Sequence, residues 1–210
     1  SVNQSDNLYN KQRHFVENAA HELQTPLAVC MNKLELLSEH PDCTEDQLKE
    51  IAGLHQALNG IIRLNKSLLL LSRIDNKQFP ETRDICLNHL IHKILEGIND
   101  IYEKESLVCT MNESLATTLI TNLIKNAYVH NYEKGDIGIT ISRRMLTIAN
   151  TGIDKTLDKE LLFARFASQS KQQESTGLGL AIVKSIVDLY SIRIDYQYAN
   201  GMHTFTLLFY

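Results

Sequence analysis

The chain of 210 residues has no tryptophan, only three prolines and only four cysteines. It also lacks any apolar run near the roughly 20 residues that a membrane-spanning helix needs, which argues against direct membrane contact by these residues. The cysteines, Cys30, Cys43, Cys86 and Cys109, form no CxxC pair. Neither a zinc site nor a disulfide framework is indicated, and a reducing, cytoplasmic compartment suits them. A surplus of base is missing too: 21 lysines and arginines stand against 25 acids, for a net charge of -4. With no basic stripe and no polybasic tail, nucleic acid is not an expected partner. What is there, 43% hydrophobic and 22% charged residues, is enough for a real core in one or two domains. Residues 1–13 are polar and unlike a signal peptide, and they read as a helix entering from upstream. The chain is therefore expected to be a piece of something longer.

Two halves follow different patterns. From about residue 7 to 75 the period is purely helical. Val16, Ala20, Leu23, Leu27, Cys30, Leu34 and Leu37 alternate by four and three, the seam of a helix packed in a bundle. His21 and Glu22 fall off that seam, toward solvent. Pro26 lies within the helix, where it cannot donate to the carbonyl of Glu22, so a bend is expected one turn from His21. A break at 40–43 contains Pro41, and Thr44 can cap a second helix. That helix carries Leu54, Ala57, Ile61, Leu64, Leu68 and Leu71 at the same spacing, widened by Leu58, Ile62 and Leu69. A lone hairpin cannot bury two such stripes, so a homodimer built as a four-helix bundle is expected.

After a polar linker at 77–83, holding Pro80, strands and helices mix. Strands are expected at 84–87, 107–111, 136–142, 145–150, 193–198 and 203–209, with turns at Arg143-Arg144 and Asn200-Gly201. Helices are expected at about 90–102, 115–129, 159–163 and 179–190. Elements that do not alternate strictly argue for an α/β sandwich with helices on one face. The domains are thus 1–76, the linker 77–83, and 84–210. Tyr196, Tyr198 and Tyr210 read as sheet-filling residues. His89 and His92, at i and i+3, read as a solvated helix face, since no third metal ligand is evident.

Three constellations in the second half suit a phosphate ligand. Gly177 and Gly179 stand directly before a helix, so backbone N–H groups can approach an anion at a helix N-terminus. Asn122 and Asn126 place two amides on one helix face, hard oxygen donors of the kind Mg2+ accepts. Asn150-Thr151-Gly152 ends a strand in a tight turn, where a side-chain acceptor could read an adenine amino group. Each alone could be a capped helix or an ordinary turn.

In this order, these segments resemble the motifs of sensor histidine kinases, the phosphorelay enzymes of two-component signalling. The run His21-Glu22-Leu23-Gln24-Thr25-Pro26 is similar to the phospho-acceptor box, residues 122–131 to the asparagine box, and Asn150-Thr151-Gly152 to the first glycine box. Residues 162–166 resemble the phenylalanine box and 177–184 the second glycine box. The resemblance implies a dimerising hairpin followed by an ATP-binding domain of the gyrase, Hsp90, kinase and MutL type. It implies ATP and Mg2+ as cofactors, phosphorylation of His21 with Glu22 beside it, and transfer to an aspartate of a response regulator. Thr25 matches the position that orients water in the reverse, phosphatase reaction. The implied nucleotide set is Asn122, Asn126, His130, Asn150, Gly152, Lys171, Gly177, Gly179 and Leu180, with Asn126 and Asn122 toward the metal and 167–175 as a lid based on Phe163 and Phe166. Arg165 could stabilise the transition state or pair with an acid. The resemblance also implies the cytosolic part of a longer, membrane-anchored sensor.

Three positions depart from the family pattern. Gln24 stands where arginine is usual, Val129 where a basic residue is common, and Asn150 where aspartate is usual; the ring of His130 could replace the missing base or merely cap its helix. These departures motivate one alternative, a non-enzymatic dimeric scaffold that switches on nucleotide binding; another, an ATPase of the gyrase or chaperone branch of the same fold, is disfavoured because Asn122 occupies the position where those relatives carry a catalytic glutamate.

Overall fold

The computed structural model describes residues 2–95, 101–166 and 176–210. They fall into two compact units. One holds the helices up to Arg73 and, among the described residues, 176–178; the other runs from Ile74 and holds the sheet and its helices.

In the first unit, α1 (Val2–Ser38) and α2 (Glu45–Asp75, whose last two residues group with the second unit) form a helical hairpin. Helix α1 continues through Pro26 without interruption. Between the helices a reciprocal capping box forms at Thr44. Its N–H donates to Oε1 of Gln47 at 2.9 Å, and the N–H of Gln47 returns a bond to Oγ1 of Thr44 at 3.3 Å. Glu45 and Asp46 then occupy the first turn, where the helix dipole favours negative charge. Along the seam Ala20 is buried, whereas Leu23, Leu37, Leu54 and Ile61 stay about half exposed in the single chain. A buried polar contact ties the two helices: Nδ2 of Asn65 donates to the carbonyl of Ala20 at 2.7 Å.

The second unit is an α/β sandwich. Strands β1 (Arg83–Cys86) and β3 (Val108–Met111) form a small antiparallel pair. Helix α3 (Leu87–Ile94) follows β1 directly, and the buried amide of Asn88 pins the return chain by accepting from the N–H of Leu107 at 2.9 Å. The main sheet has the order β2-β4-β5-β7-β6, made of Ile101–Glu103, Ile137–Ser142, Met145–Thr151, Met202–Leu208 and Arg193–Ala199. Its neighbours are antiparallel except β2, which runs parallel to β4. Helices α4 (Glu113–Val129) and α6 (Gly179–Leu189) pack on each other and on strands of this sheet, while α5 (Lys159–Leu162) is a single turn.

Two expectations are corrected here. The helix read at 90–102 ends at Ile94, and Tyr102 instead lies in β2, whose pairing with Ile139–Ile141 supplies the hydrogen bonds that a helix would have made internally. Tyr210 does not fill the sheet, because it lies beyond β7 and is exposed.

The sheet's inner face is laid down in rows. Strands β5 and β7 alternate half-buried and buried residues, which fixes their register. Leu146 faces Leu207, and Ile148 faces Phe205, which in turn faces Tyr196. In the next row Asn150 faces His203, which faces Tyr198. The inner face thus turns from apolar to polar at one end, with Asn150 and His203 both buried.

Candidate functional site

On α1, the burial of Ala20 leaves the next residue, His21, exposed, along with Glu22 and Thr25. The hydrogen bond from Asn65 to the Ala20 carbonyl anchors the turn from which His21 projects. An imidazole with its lone pair open to solvent suits nucleophilic chemistry near neutral pH.

Helix α4 is built to hold its amides steady. Asn112 caps it, its Oδ1 accepting from the N–H groups of Ser114 and Leu115 at 3.0 and 3.2 Å. One face is apolar, with Leu115, Leu119, Leu123 and Ala127 buried. On the flank, Asn122 donates through Nδ2 to the carbonyl of Thr118 at 2.8 Å, which leaves Oδ1 turned toward the start of α6. That Oδ1 would lie 3.0 Å from a Cβ at Gly179, the first residue of α6, so a bare backbone brings the helix start close to the amide. The half-buried side chain of Asn126, one turn later, makes no hydrogen bond among the described residues. Two amide oxygens on one face, neither with a hydrogen-bond donor among the described residues, form a donor set that fits a hard cation. His130 forms the C-cap, its N–H bonded to the carbonyls of Asn126 and Tyr128. Partial withdrawal from water, with His203 nearby, holds its imidazole below the ordinary value.

At the polar end of the sheet, Asn150 donates through Nδ2 to the carbonyl of Thr151 at 2.6 Å. This orients the amide so that Oδ1 is left to accept. Thr151 is held in turn: its hydroxyl donates to Oδ1 of Asn131 at 2.5 Å and accepts from the N–H of Asp136 at 3.0 Å. Gly152 follows in a slot with no room for a side chain, since a Cβ there would lie 2.9 Å from Cδ2 of His203 and 3.0 Å from the carbonyl oxygen of His130. The ring of His203 makes two hydrogen bonds, at 2.8 Å to the Tyr196 hydroxyl through Nδ1 and at 2.8 Å to the carbonyl of Ile153 through Nε2.

Gly177 has a φ of +66°, a left-handed conformation that glycine adopts without strain, two residues before α6 begins. Leu180 lies half-buried in the first turn of α6. Lys171 and the expected lid at 167–175 lie outside the described residues, save that the lid's flanks are seen. Phe163 packs edge-on against Phe205 at 6.5 Å, whereas Phe166 is exposed with a φ of +64° and anchors nothing in the core. Arg165 pairs with Asp75 at 2.8 Å, the acid-pairing alternative, and both belong to the second unit. His92 pairs with Glu103 at 2.7 Å while His89 is exposed, and no cluster of three metal-binding side chains exists among the described residues.

No structural role for Asn65, His203 or, within the 122–131 box, Asn131 is legible in the sequence. Each had a signal of a kind, a polar residue interrupting an apolar stripe or the inner-facing register of a strand. None had one that named its partner.

Comparison with known proteins accounts for nearly the whole chain. Residues 11–77 match the His Kinase A (phospho-acceptor) domain, and residues 111–209 match the histidine kinase-, DNA gyrase B- and HSP90-like ATPase domain. The chain is 32% identical over 228 aligned residues to the heme sensor protein HssS of Staphylococcus saprophyticus, covering all of this chain and 48% of that protein. It is 33% identical to the sensor protein CiaH of Streptococcus pneumoniae over 85% of this chain and 44% of that one. The chain thus spans about half the length of the curated relatives it matches. Among solved structures, full-length ShkA in complex with AMPPNP shares the fold with a TM-score of 0.69 at 17% identity, over 94% of this chain and 46% of that one. The Acinetobacter baumannii histidine kinase AdeS does so with a TM-score of 0.56 at 18% identity, over 89% and 95%. No helix among the described residues is long and apolar enough to cross a membrane. Bearing an acceptor-type hairpin with an exposed His21 and, after it, an ATP-binding domain whose sheet ends on Asn150, the chain belongs to the sensor histidine kinases of two-component systems.

Proposed function

We propose that this chain autophosphorylates on His21 and passes the phosphoryl group to an aspartate on the receiver domain of a response regulator. The observation that carries the reading is the coexistence, in one chain, of an exposed His21 followed by Glu22 on α1 and a nucleotide-type site where the α4 amides stand beside Gly179. An imidazole nitrogen of His21 attacks the γ-phosphorus of ATP, the bond to the β,γ-bridging oxygen breaks, and ADP leaves. The proton on the ring's other nitrogen passes to Glu22, which until then holds the neutral tautomer. Asn150 accepts from the adenine amino group through Oδ1, Gly152 keeps the loop close, and the N–H groups around Gly177, Gly179 and Leu180 position the phosphates. Asn126, with Asn122, would hold Mg2+, which when bound would neutralise charge on the phosphate oxygens. His130 lies beside this set, and as a mostly neutral imidazole it contributes a hydrogen bond rather than a charge. Lys171 adds a phosphate contact.

The half-exposed Leu23, Leu37, Leu54 and Ile61 support a homodimer in which a second hairpin covers them. Thr25, exposed one turn after His21, positions the water that removes phosphate from the regulator. The chain is the cytosolic part of a longer, membrane-anchored sensor.

Incubation with Mg2+ and γ-labelled ATP tests the central step. Wild type is expected to gain acid-labile, alkali-stable label, and His21→Gln to gain none. Equal labelling of the two would overturn the assignment.

A further inference from the structure

Opposite Asn150, the sheet carries a polar network that the reaction scheme does not use. Its centre is His203, 5% exposed and placed where the rows below carry only apolar and aromatic side chains. The hydrogen-bond roles can be deduced for the neutral ring. The carbonyl of Ile153 only accepts, so Nε2 must carry the proton. Nδ1 must then accept, so the Tyr196 hydroxyl donates to it. The same hydroxyl oxygen accepts from the N–H of Leu157 at 3.2 Å. One Tyr–His pair therefore holds the 153–157 loop at both ends, through Ile153 and Leu157. Between those ends Tyr198, in the same row as His203, donates its hydroxyl to the carboxylate of Asp154. That bond pushes the Tyr198 hydroxyl up to about 12, so it remains a donor throughout the physiological range. At the head of the loop, the ring of His203 forms the wall against which Gly152 lies.

The rings also belong to the core. Tyr196 lies 5.3 Å from Phe205 and 6.0 Å from His203, between centroids, and Tyr198 lies 4.8 Å from His203. Packing holds the rings, and the hydroxyls and ring nitrogens hold the loop.

We propose that His203, oriented by Tyr196 and assisted by Tyr198, is a positioning residue that fixes the 152–157 loop beside Asn150 and thereby sets affinity for the adenine end of the nucleotide. This rests on the reading of Asn150–Gly152 as the base-binding end. The network includes neither His21 nor any residue assigned above to the phosphates. Its loss should therefore weaken binding of the base while leaving the chemical step intact.

The most conservative probe is Tyr196→Phe, which keeps the ring in the core and removes only the hydroxyl. It strips the N–H of Leu157 of its acceptor and Nδ1 of His203 of its donor. Binding of AMPPNP and of inorganic tripolyphosphate, each with Mg2+, is measured by calorimetry on the whole chain, alongside the KM and kcat of ATP labelling. The expected result is about tenfold weaker AMPPNP binding and a matching rise in KM, with kcat and tripolyphosphate affinity within about twofold of wild type. His203→Phe, which fills the space but makes neither bond, should reproduce that pattern. Unchanged AMPPNP affinity in both variants would overturn the proposal, as would equal loss of AMPPNP and tripolyphosphate, the mark of a general loss of structure. Wild type that binds tripolyphosphate and AMPPNP equally would instead overturn the base-binding reading, and this inference with it.

Discussion

Replacing Gly135 by alanine should destabilise the ATP-binding domain sharply, because of two oxygens already in place. A Cβ at this position would lie 2.0 Å from Oγ1 of Thr151 and 2.3 Å from Oδ1 of Asn131. Restoring ordinary contact at about 3.4 Å requires one side to move by more than 1 Å. Neither oxygen is a loose side-chain end. Oγ1 of Thr151 donates to that same Asn131 and accepts from the N–H of Asp136, while the backbone of Thr151 bonds the carbonyl of Asp136 at 3.0 Å. Displacing Oγ1 sacrifices two hydrogen bonds at roughly 1 kcal/mol each, and residual overpacking adds up to about 1 kcal/mol more, for about 2–3 kcal/mol in all. For a domain of this size that is a fall in Tm of roughly 6–12 °C. Gly138 on β4 is the control, since a Cβ there meets nothing within 4 Å. Gly138→Ala should leave the domain unchanged or raise Tm slightly by restricting the unfolded chain. Thermal melting followed by near-UV circular dichroism, with and without AMPPNP, makes the comparison. A Gly135→Ala variant within 1–2 °C of wild type, or a Gly138→Ala variant that falls as far, would refute the steric reasoning.

Removing the buried amide from the hairpin separates a hydrogen bond from packing. Asn65→Ala should cost about 1–2 kcal/mol, read as a lower urea midpoint at fixed protein concentration, whereas Asn65→Leu should stay within about 0.5 kcal/mol, because the Ala20 carbonyl keeps its intrahelical partner. The depressed pKa of His130 makes stability depend on pH in one direction. The unfolded chain takes up a proton that the folded imidazole resists, so stability is fully present above the ordinary value of about 6.5 and is lost as pH falls below it. Melting curves from pH 7.5 to 5 should show that decline and His130→Asn should flatten it; an equal slope in both would exclude the assignment. Among the thiols, exposed Cys30 should react with a disulfide reagent at pH 8 well before Cys109, whose thiol is pushed up to about 11 by burial and by Asp84.

Elements set by neighbouring residues were legible in the sequence. Both hairpin helices follow the four-three seam, Thr44 caps the second, and Asn200-Gly201 makes the turn between β6 and β7 with φ of +52° and +77°. The order of glycines and amides marked the candidate site, because each such residue answers a local need such as a close backbone approach. Legibility stopped where a partner far along the chain decides. The apolar residues at 94, 95, 98 and 101 can extend a helix as well as they can begin a strand. Only pairing with β4 makes Ile101–Glu103 a strand. Tyr196 read as sheet filling, and its ring does fill the sheet, but the role of its hydroxyl depends on His203 and Leu157.

The family, the position of His21 off the seam and the boundaries of most helices and strands can be read along the chain, since motifs, periodicity, caps and turns act over a few residues. The tertiary structure alone decided which buried polar atoms meet. Asn65 reaches Ala20 across 45 positions, and His203 reaches Ile153 across 50. Such pairs leave no periodic trace, because a hydrogen bond is specified by direction and distance in space, and these exist only once the register between the helices and between the strands is set.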